Sequence, residues 1–384
     1  MTARNGVRTP GRPLWSPRWT PSTARNMAGG RAETPRTALR QLRAAVVLFL
    51  AAGTAACTAP PAAPGPGSTG SGSGAATIAE GLDDPWSIAF LPDGSALVSE
   101  NNTGLIKQLK DGRTNAAVPV PAELETTGEG GLLGLAVSQD FAKDNRLFVY
   151  FTTPQDNRVL SYRWEDGELT DGREVVTGIP KSRIHNGGRL EFGPDGYLYI
   201  STGEAGQREL SQDLASLGGK ILRVTRDGDP APGNPFPDSP VFSYGHRNVQ
   251  GMAWDSEGRM WASEFGPDRD DELNLIEAGK NYGWPEVTGA PGDDRFVDAV
   301  VVWPSTAEAS PSGLAIVDDV AWLAALRGER LWRVQLSGDK AGKPAAVLQG
   351  EYGRLRDVEA AADGRLWVLT NGGNPDRILA VSVK

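Results

Sequence analysis

Two histidines occur in the 384 residues, and both stand in polar, glycine-rich loops between apolar runs. His185 opens the stretch His185-Asn186-Gly187-Gly188-Arg189-Leu190. His246 lies in Tyr244-Gly245-His246-Arg247-Asn248. An imidazole titrates near neutrality, so a loop histidine can act as a general base. It serves equally well as a hydrogen-bonded structural residue. Glycines beside His185 let a ligand approach the backbone closely. Two histidines are too few for a histidine-ligated zinc site. An acidic stretch, Ser263-Glu264-Phe265-Gly266-Pro267-Asp268-Arg269-Asp270-Asp271-Glu272, is followed by Asn281-Tyr282-Gly283-Trp284-Pro285. Carboxylates with nearby carbonyls suit Ca2+, a hard ion that takes oxygen ligands. The spacing is not that of an EF-hand loop, and a solvated acidic turn explains the charges as well. Arg354-Leu355-Arg356-Asp357 places two guanidiniums on one side of an extended segment. That geometry fits a ligand with several carboxylates, or two ordinary surface arginines.

The segments that must position these residues repeat. An acidic residue and a turn residue lead into a β-rich run at residues 93, 144, 195, 257, 318 and 363. Examples are Asp195-Gly196 before Tyr-Leu-Tyr-Ile-Ser-Thr and Asp363-Gly364 before Arg-Leu-Trp-Val-Leu-Thr. Asp-Gly between apolar β-formers is a strong hairpin signal. Six units of about fifty residues predict an all-β, six-bladed β-propeller of four-stranded antiparallel blades. A β-sandwich would instead show turns every 8–12 residues or so and no long period. The last run, Arg377 to Val383, and the first, Thr77 to Leu82, are placed to share one blade and close the ring. High Gly (48) and Pro (28) fit a turn-rich chain, and eleven Trp supply large plates for its core.

Residues 1–56 read as a targeting segment. Arg36, Arg40 and Arg43 precede the apolar run Ala44 to Ala56, which is short for a membrane span. Met27 offers an alternative start. Thr54-Ala55-Ala56-Cys57 resembles a bacterial lipobox, which makes Cys57, the sole cysteine, the expected lipidation site. The alternative is an ordinary signal peptide with an incidental cysteine. Residues 57–76, rich in Pro, Ala, Gly and Ser, read as a flexible tether, and residues 77–384 as the propeller. The expected location is the cell envelope, with a lipid anchor as the only membrane attachment. One cysteine excludes an internal disulfide. The targeting segment holds nine Arg and one acidic residue, so the net −9 understates how acidic the body is. An acidic body argues against nucleic acid as a partner.

Taken together, the motifs identify a family resemblance. From about residue 80 the chain resembles the soluble pyrroloquinoline quinone (PQQ)-dependent glucose and aldose sugar dehydrogenases. The resemblance lies in Gly128-Glu129-Gly130-Gly131-Leu132-Leu133-Gly134, His185-Asn186-Gly187-Gly188-Arg189-Leu190, Gln212-Asp213-Leu214 with Gly219-Lys220-Ile221-Leu222-Arg223, Gly245-His246-Arg247-Asn248, Gly266-Pro267 with Asp271-Glu272 and Asn281 to Pro285, and Arg354-Leu355-Arg356-Asp357. It implies a six-bladed propeller that oxidises an aldose at C1 to its lactone, with PQQ and Ca2+ as cofactors and an electron acceptor the sequence does not name. His185 would be the general base. Arg247 and Asn248 would bind the quinone, Arg247 also stabilising its developing charge. Arg354, Arg356 and Arg327 would hold PQQ carboxylates, with Glu129 in the same pocket. The carbonyls of Gly266 and Pro267 would hold the Ca2+ beside PQQ. Glu272 and the Tyr282 carbonyl would hold a second Ca2+. Trp303 would lie over the sugar. Glu129 stands where a glutamine is common, Ile184 where the glucose enzymes have an acidic residue, and Val300 where they have an aromatic. These departures imply weaker support for the base and a broader aldose range. Two other readings remain at this point: an envelope propeller that only binds a carbohydrate or protein, and a Ca2+-dependent lactone hydrolase.

Overall fold

The computed structural model describes residues 74–373 and 375–383. The targeting segment, Cys57 and the tether as far as residue 73 lie outside the described residues.

Each of the six turns read from the sequence joins the first two strands of an antiparallel sheet. Blade 1 comprises Pro85–Phe90, Ala96–Glu100, Leu105–Lys110 and Arg113–Pro119. Blade 2 comprises Leu132–Val137, Arg146–Thr152, Asn157–Glu165 and Glu168–Ile179, and blade 3 Leu190–Phe192, Leu198–Ser201, Lys220–Val224 and Val241–Tyr244. Blade 4 runs through Val249–Trp254, Met260–Glu264, Asp271–Ile276 and Val301–Trp303. In blade 5, Pro311–Val317, Val320–Ala325 and Arg330–Ser337 are joined at the outer edge by two short strands, Lys340–Ala341 and Ala345–Val347. Blade 6 takes Leu355–Ala360, Arg365–Thr370 and Asp376–Ser382 from the end of the chain and Ala75–Leu82 from its start. The ring is a six-bladed propeller closed by that antiparallel pairing of first and last strands.

The core lies between blades. Among the described residues, six buried apolar clusters join neighbouring blades, and the one between blades 2 and 3 also takes in Trp86 of blade 1. A strand sandwiched this way is apolar on both faces, so Leu147 to Phe151 is buried throughout and shows no alternation. Each fully buried aliphatic side chain stabilises by about 1.5–3 kcal/mol, so blade-to-blade packing carries the ring.

The first strands of the blades meet their neighbours around the axis. Two cross-axis pairs join the opposed blades 3 and 6. Arg189 Nη2 lies 2.8 Å from Asp357 Oδ1, both buried. Two residues further along each of these segments, on the same inward side, the carboxyls of Glu191 and Glu359 act on one another. Burial pushes the Glu191 carboxyl up to about 8. Glu359 is raised as well, first by burial and then by the charge of Glu191.

Candidate active site

A cavity of about 420 Å³ opens on one face of the ring. It is built from loops that join blades and from loops that join second and third strands. Glu129 arrives between blades 1 and 2, His185 between blades 2 and 3, and Arg247 and Asn248 between blades 3 and 4. Arg354 and Arg356 come from the start of blade 6, Arg327 from blade 5, and Gly266 and Pro267 from blade 4. These nine residues all line the cavity.

His185 has a left-handed backbone, φ 58°, which is uncommon for a side chain other than glycine. Its surroundings hold it there. The His185 N–H donates to Glu129 Oε2 at 2.7 Å. The His185 carbonyl accepts the Ala205 N–H at 3.0 Å. Gly203 passes so close that a Cβ there would lie 1.9 Å from the His185 carbonyl oxygen. His185 Nδ1 lies 2.6 Å from Glu204 Oε1, and the Glu204 side chain is only 1% exposed. The weaker support expected from Ile184 is therefore corrected. Ile184 is 44% exposed, and the carboxylate behind the imidazole comes from Glu204, on the adjacent loop of blade 3.

The second histidine is structural. His246 is fully buried, with Nε2 2.8 Å from Ser243 Oγ and Nδ1 2.8 Å from Glu264 Oε2. Its ring stacks on Tyr282 at 4.6 Å. Glu264 also accepts the backbone N–H groups of Arg247 and Asn248, so it fixes the loop that presents them. Asn248 Oδ1 accepts the Gly187 N–H at 3.0 Å, tying that loop to the His185 loop.

Positive charge converges on the cavity. Burial lowers Arg247, and burial together with the neighbouring Arg354 lowers Arg356 to about 10. Arg356 donates to Gln250 Oε1 at 3.0 Å and Arg247 to the Phe265 carbonyl at 3.2 Å. Among the described residues the buried Nε atoms of both have no hydrogen-bond partner. Arg327 donates to Thr306 Oγ1 at 2.8 Å from the rim. The charge of Glu129 acts favourably on both Arg247 and Arg356, so this carboxylate sits among cations.

Glu272 and Tyr282 line a smaller adjoining space that also touches Gly266 and Pro267. Glu272 accepts from the Gly289 N–H at 2.6 Å and from Asn274 Nδ2 at 2.9 Å. Burial, then the Glu264 charge, pushes its carboxyl up to about 8. Trp303 is a correction. It is 3% exposed and packs on Trp332, ring centroids 5.7 Å apart, inside the cluster between blades 4 and 5. Packing between two apolar blade faces takes it out of the cavity, whose aromatic surface comes from Trp86 and Phe265.

The glucose/sorbosone dehydrogenase family model matches residues 82–379. The chain belongs to that family. An aldose sugar dehydrogenase of Escherichia coli is 32% identical over 327 residues, covering 76% of this chain and 88% of that protein. The quinoprotein glucose dehydrogenase B of Acinetobacter calcoaceticus is 30% identical over 259 residues, covering 58% of this chain and 54% of that protein. Among solved structures, the PQQ-bound form of the aldose sugar dehydrogenase of Streptomyces coelicolor superimposes with a TM-score of 0.77 at 51% identity. It covers 79% of this chain and 96% of that one.

For a member of this dehydrogenase family, the residues present fit a tricarboxylate quinone. Buried guanidinium Nε atoms without partners are costly unless an anion meets them. A Ca2+ here would draw on backbone carbonyls and ligand oxygens. Among the described residues no three His, Cys, Asp or Glu side chains form a metal cluster. Gly266 and Pro267 line the cavity, and backbone carbonyls are donors of the right hardness. Sequence motifs did not single out the support roles of Glu204 and Glu264. A signal was present: the second strand of a blade ends in, or runs on to, a carboxylate at Ser99-Glu100, Ser263-Glu264 and Ser201-Thr202-Gly203-Glu204.

Proposed function

We propose that this protein is a PQQ-dependent aldose dehydrogenase that oxidises its sugar at C1 to the lactone. One observation carries the reading: Arg247, Arg327, Arg354 and Arg356 converge on the same cavity as a histidine backed by a buried carboxylate. PQQ, when bound, supplies the two-electron acceptor for hydride from C1, and Ca2+ supplies Lewis-acid polarisation of it.

The chain's own residues do the rest. Glu204 accepts a hydrogen bond from His185 Nδ1–H, which leaves Nε2 as the basic nitrogen. Nε2 removes the proton from the C1 hydroxyl as hydride leaves C1. Glu204 then stabilises the imidazolium by its charge. Arg354, Arg356 and Arg327 hold carboxylates, and Arg247 stabilises negative charge that develops beside it. Gly266 and Pro267 would present carbonyls to Ca2+, and Glu272 with the Tyr282 carbonyl would serve a second, structural ion.

The test is reconstitution of the purified protein with PQQ and Ca2+, followed by dye reduction with a panel of aldoses. Saturable cofactor binding and sugar-dependent reduction are expected. His185→Ala should bind PQQ and lose roughly 10²–10⁴-fold in kcat. Failure to bind PQQ would sink the proposal. The location is proposed on sequence grounds alone: Cys57→Ser should move the protein from the envelope fraction to the soluble fraction.

A further inference from the structure

Lys220 has no part in the chemistry proposed above, yet it is fully buried at the first position of its strand in blade 3. Its ammonium donates to three backbone carbonyls: Leu210 at 2.6 Å, Ser211 at 3.1 Å and Gly218 at 2.7 Å. An ammonium has three donors and no acceptor, so this cage satisfies it completely. All three carbonyls belong to the loop between Leu198–Ser201 and Lys220–Val224. Burial lowers Lys220 to about 7, and Asp213, on that same loop, acts against that shift in favour of the ammonium. A buried cation is costly, and an apolar side chain would fill such a space at lower cost. What an apolar side chain cannot do is draw three carbonyls to one point.

The loop gathered in this way is bonded to both halves of the site. Its Glu204 N–H donates to the Arg247 carbonyl at 3.0 Å, and its Ala205 N–H donates to the His185 carbonyl at 3.0 Å. Ser211 Oγ donates to the His246 carbonyl at 2.6 Å. The base of the loop is shut by the Gly219 N–H on the Gly203 carbonyl at 3.0 Å. Glu204 itself stands behind His185 Nδ1.

We propose that Lys220 is a positioning residue: its ammonium gathers the Gly203–Gly219 loop from within and thereby holds Glu204 against His185. The catalytic consequence rests on the reading of His185 as the base. The structural half does not, and it is tested separately.

Hydrogen–deuterium exchange is followed by mass spectrometry on the cofactor-free protein, its Lys220→Met variant and its Lys220→Ala variant. Peptides from residues 203–219 should exchange roughly tenfold faster or more in both variants, with strands of blades 1, 5 and 6 unchanged. Methylammonium should restore protection in Lys220→Ala, where there is room for it, and not in Lys220→Met. In the reconstituted enzyme kcat should fall roughly 10–100-fold, the scale of a misplaced catalytic group, with KM little changed. A deuterium isotope effect at C1 should rise as that step becomes limiting. Wild-type exchange in the loop overturns the proposal, as does a loosened loop with full kcat. Loss of protection across all six blades in both variants, with or without methylammonium, also overturns it. A wild-type protein that oxidises no aldose would refute the function above and leave the exchange result to decide the clamp.

Discussion

At the scale of single residues, the site is a histidine with a carboxylate behind it and guanidiniums in front. The Nδ1–Glu204 bond of 2.6 Å predicts a specific loss. Glu204→Gln keeps the shape and removes the charge. A hydrogen bond to a charged group contributes about 1.5–3 kcal/mol net, so kcat should fall roughly 10–150-fold with PQQ affinity unchanged. Single-turnover kinetics on the reconstituted enzyme, with a parallel cofactor titration, checks both halves. His185, Arg247, Arg354 and Arg356 were legible in the sequence because they stand in short motifs whose neighbours are glycines or alternate residues. Glu204 was not, because it lies nineteen positions and a strand pair away from the histidine it supports. Trp303 was misplaced for a related reason. An aromatic in a short β-run faces either a ligand or the next blade, and only the packing of Trp332 and Leu273 against it decides which.

At the scale of elements, the recurring Asp-Gly or equivalent turn marks the first hairpin of every blade, so period and count together gave the ring. The outer strands carry no comparable signal. Blade 5 splits its outer position between Lys340–Ala341 and Ala345–Val347, both with exposed or half-buried residues. Nothing in their composition demands burial, so nothing announces them. The loops of the site obey a stricter rule than the strands. Gly203 has no room for a side chain: a Cβ would meet the His185 carbonyl oxygen at 1.9 Å and carbon at 2.3 Å. Gly203→Ala must therefore push the His185 loop outward rather than disturb a blade. The expected outcome is a loss of roughly 10²-fold in kcat, since a shift of about 1 Å costs that much, with a thermal midpoint near that of the wild type. A midpoint that collapses along with activity would show instead that the close approach matters for folding.

At the scale of the whole molecule, the two cross-axis pairs tie blade 3 to blade 6 and so couple ring stability to pH. Glu191 titrates near 8 in the folded protein, against about 4.5 for an ordinary glutamate. Glu359, its partner, is raised too. The charged groups facing them are Arg189, which opposes the shift, and Asp357, which adds to it. Between these two pH values the folded chain keeps a proton that the unfolded chain has already released. The stabilisation is therefore fully present below about 4.5 and is lost as pH rises through about 8. Asp357, one rung away, is raised as well, chiefly by its burial, so it acts in the same direction. Denaturant midpoints should fall from pH 5 to pH 8.5 in the wild type. Glu191→Gln should flatten that slope, because an amide can still hydrogen-bond Glu359 and cannot titrate. Parallel slopes for the two proteins would place the pH dependence elsewhere in the ring, and would leave the Glu191–Glu359 contact without a share in holding the opposed blades together.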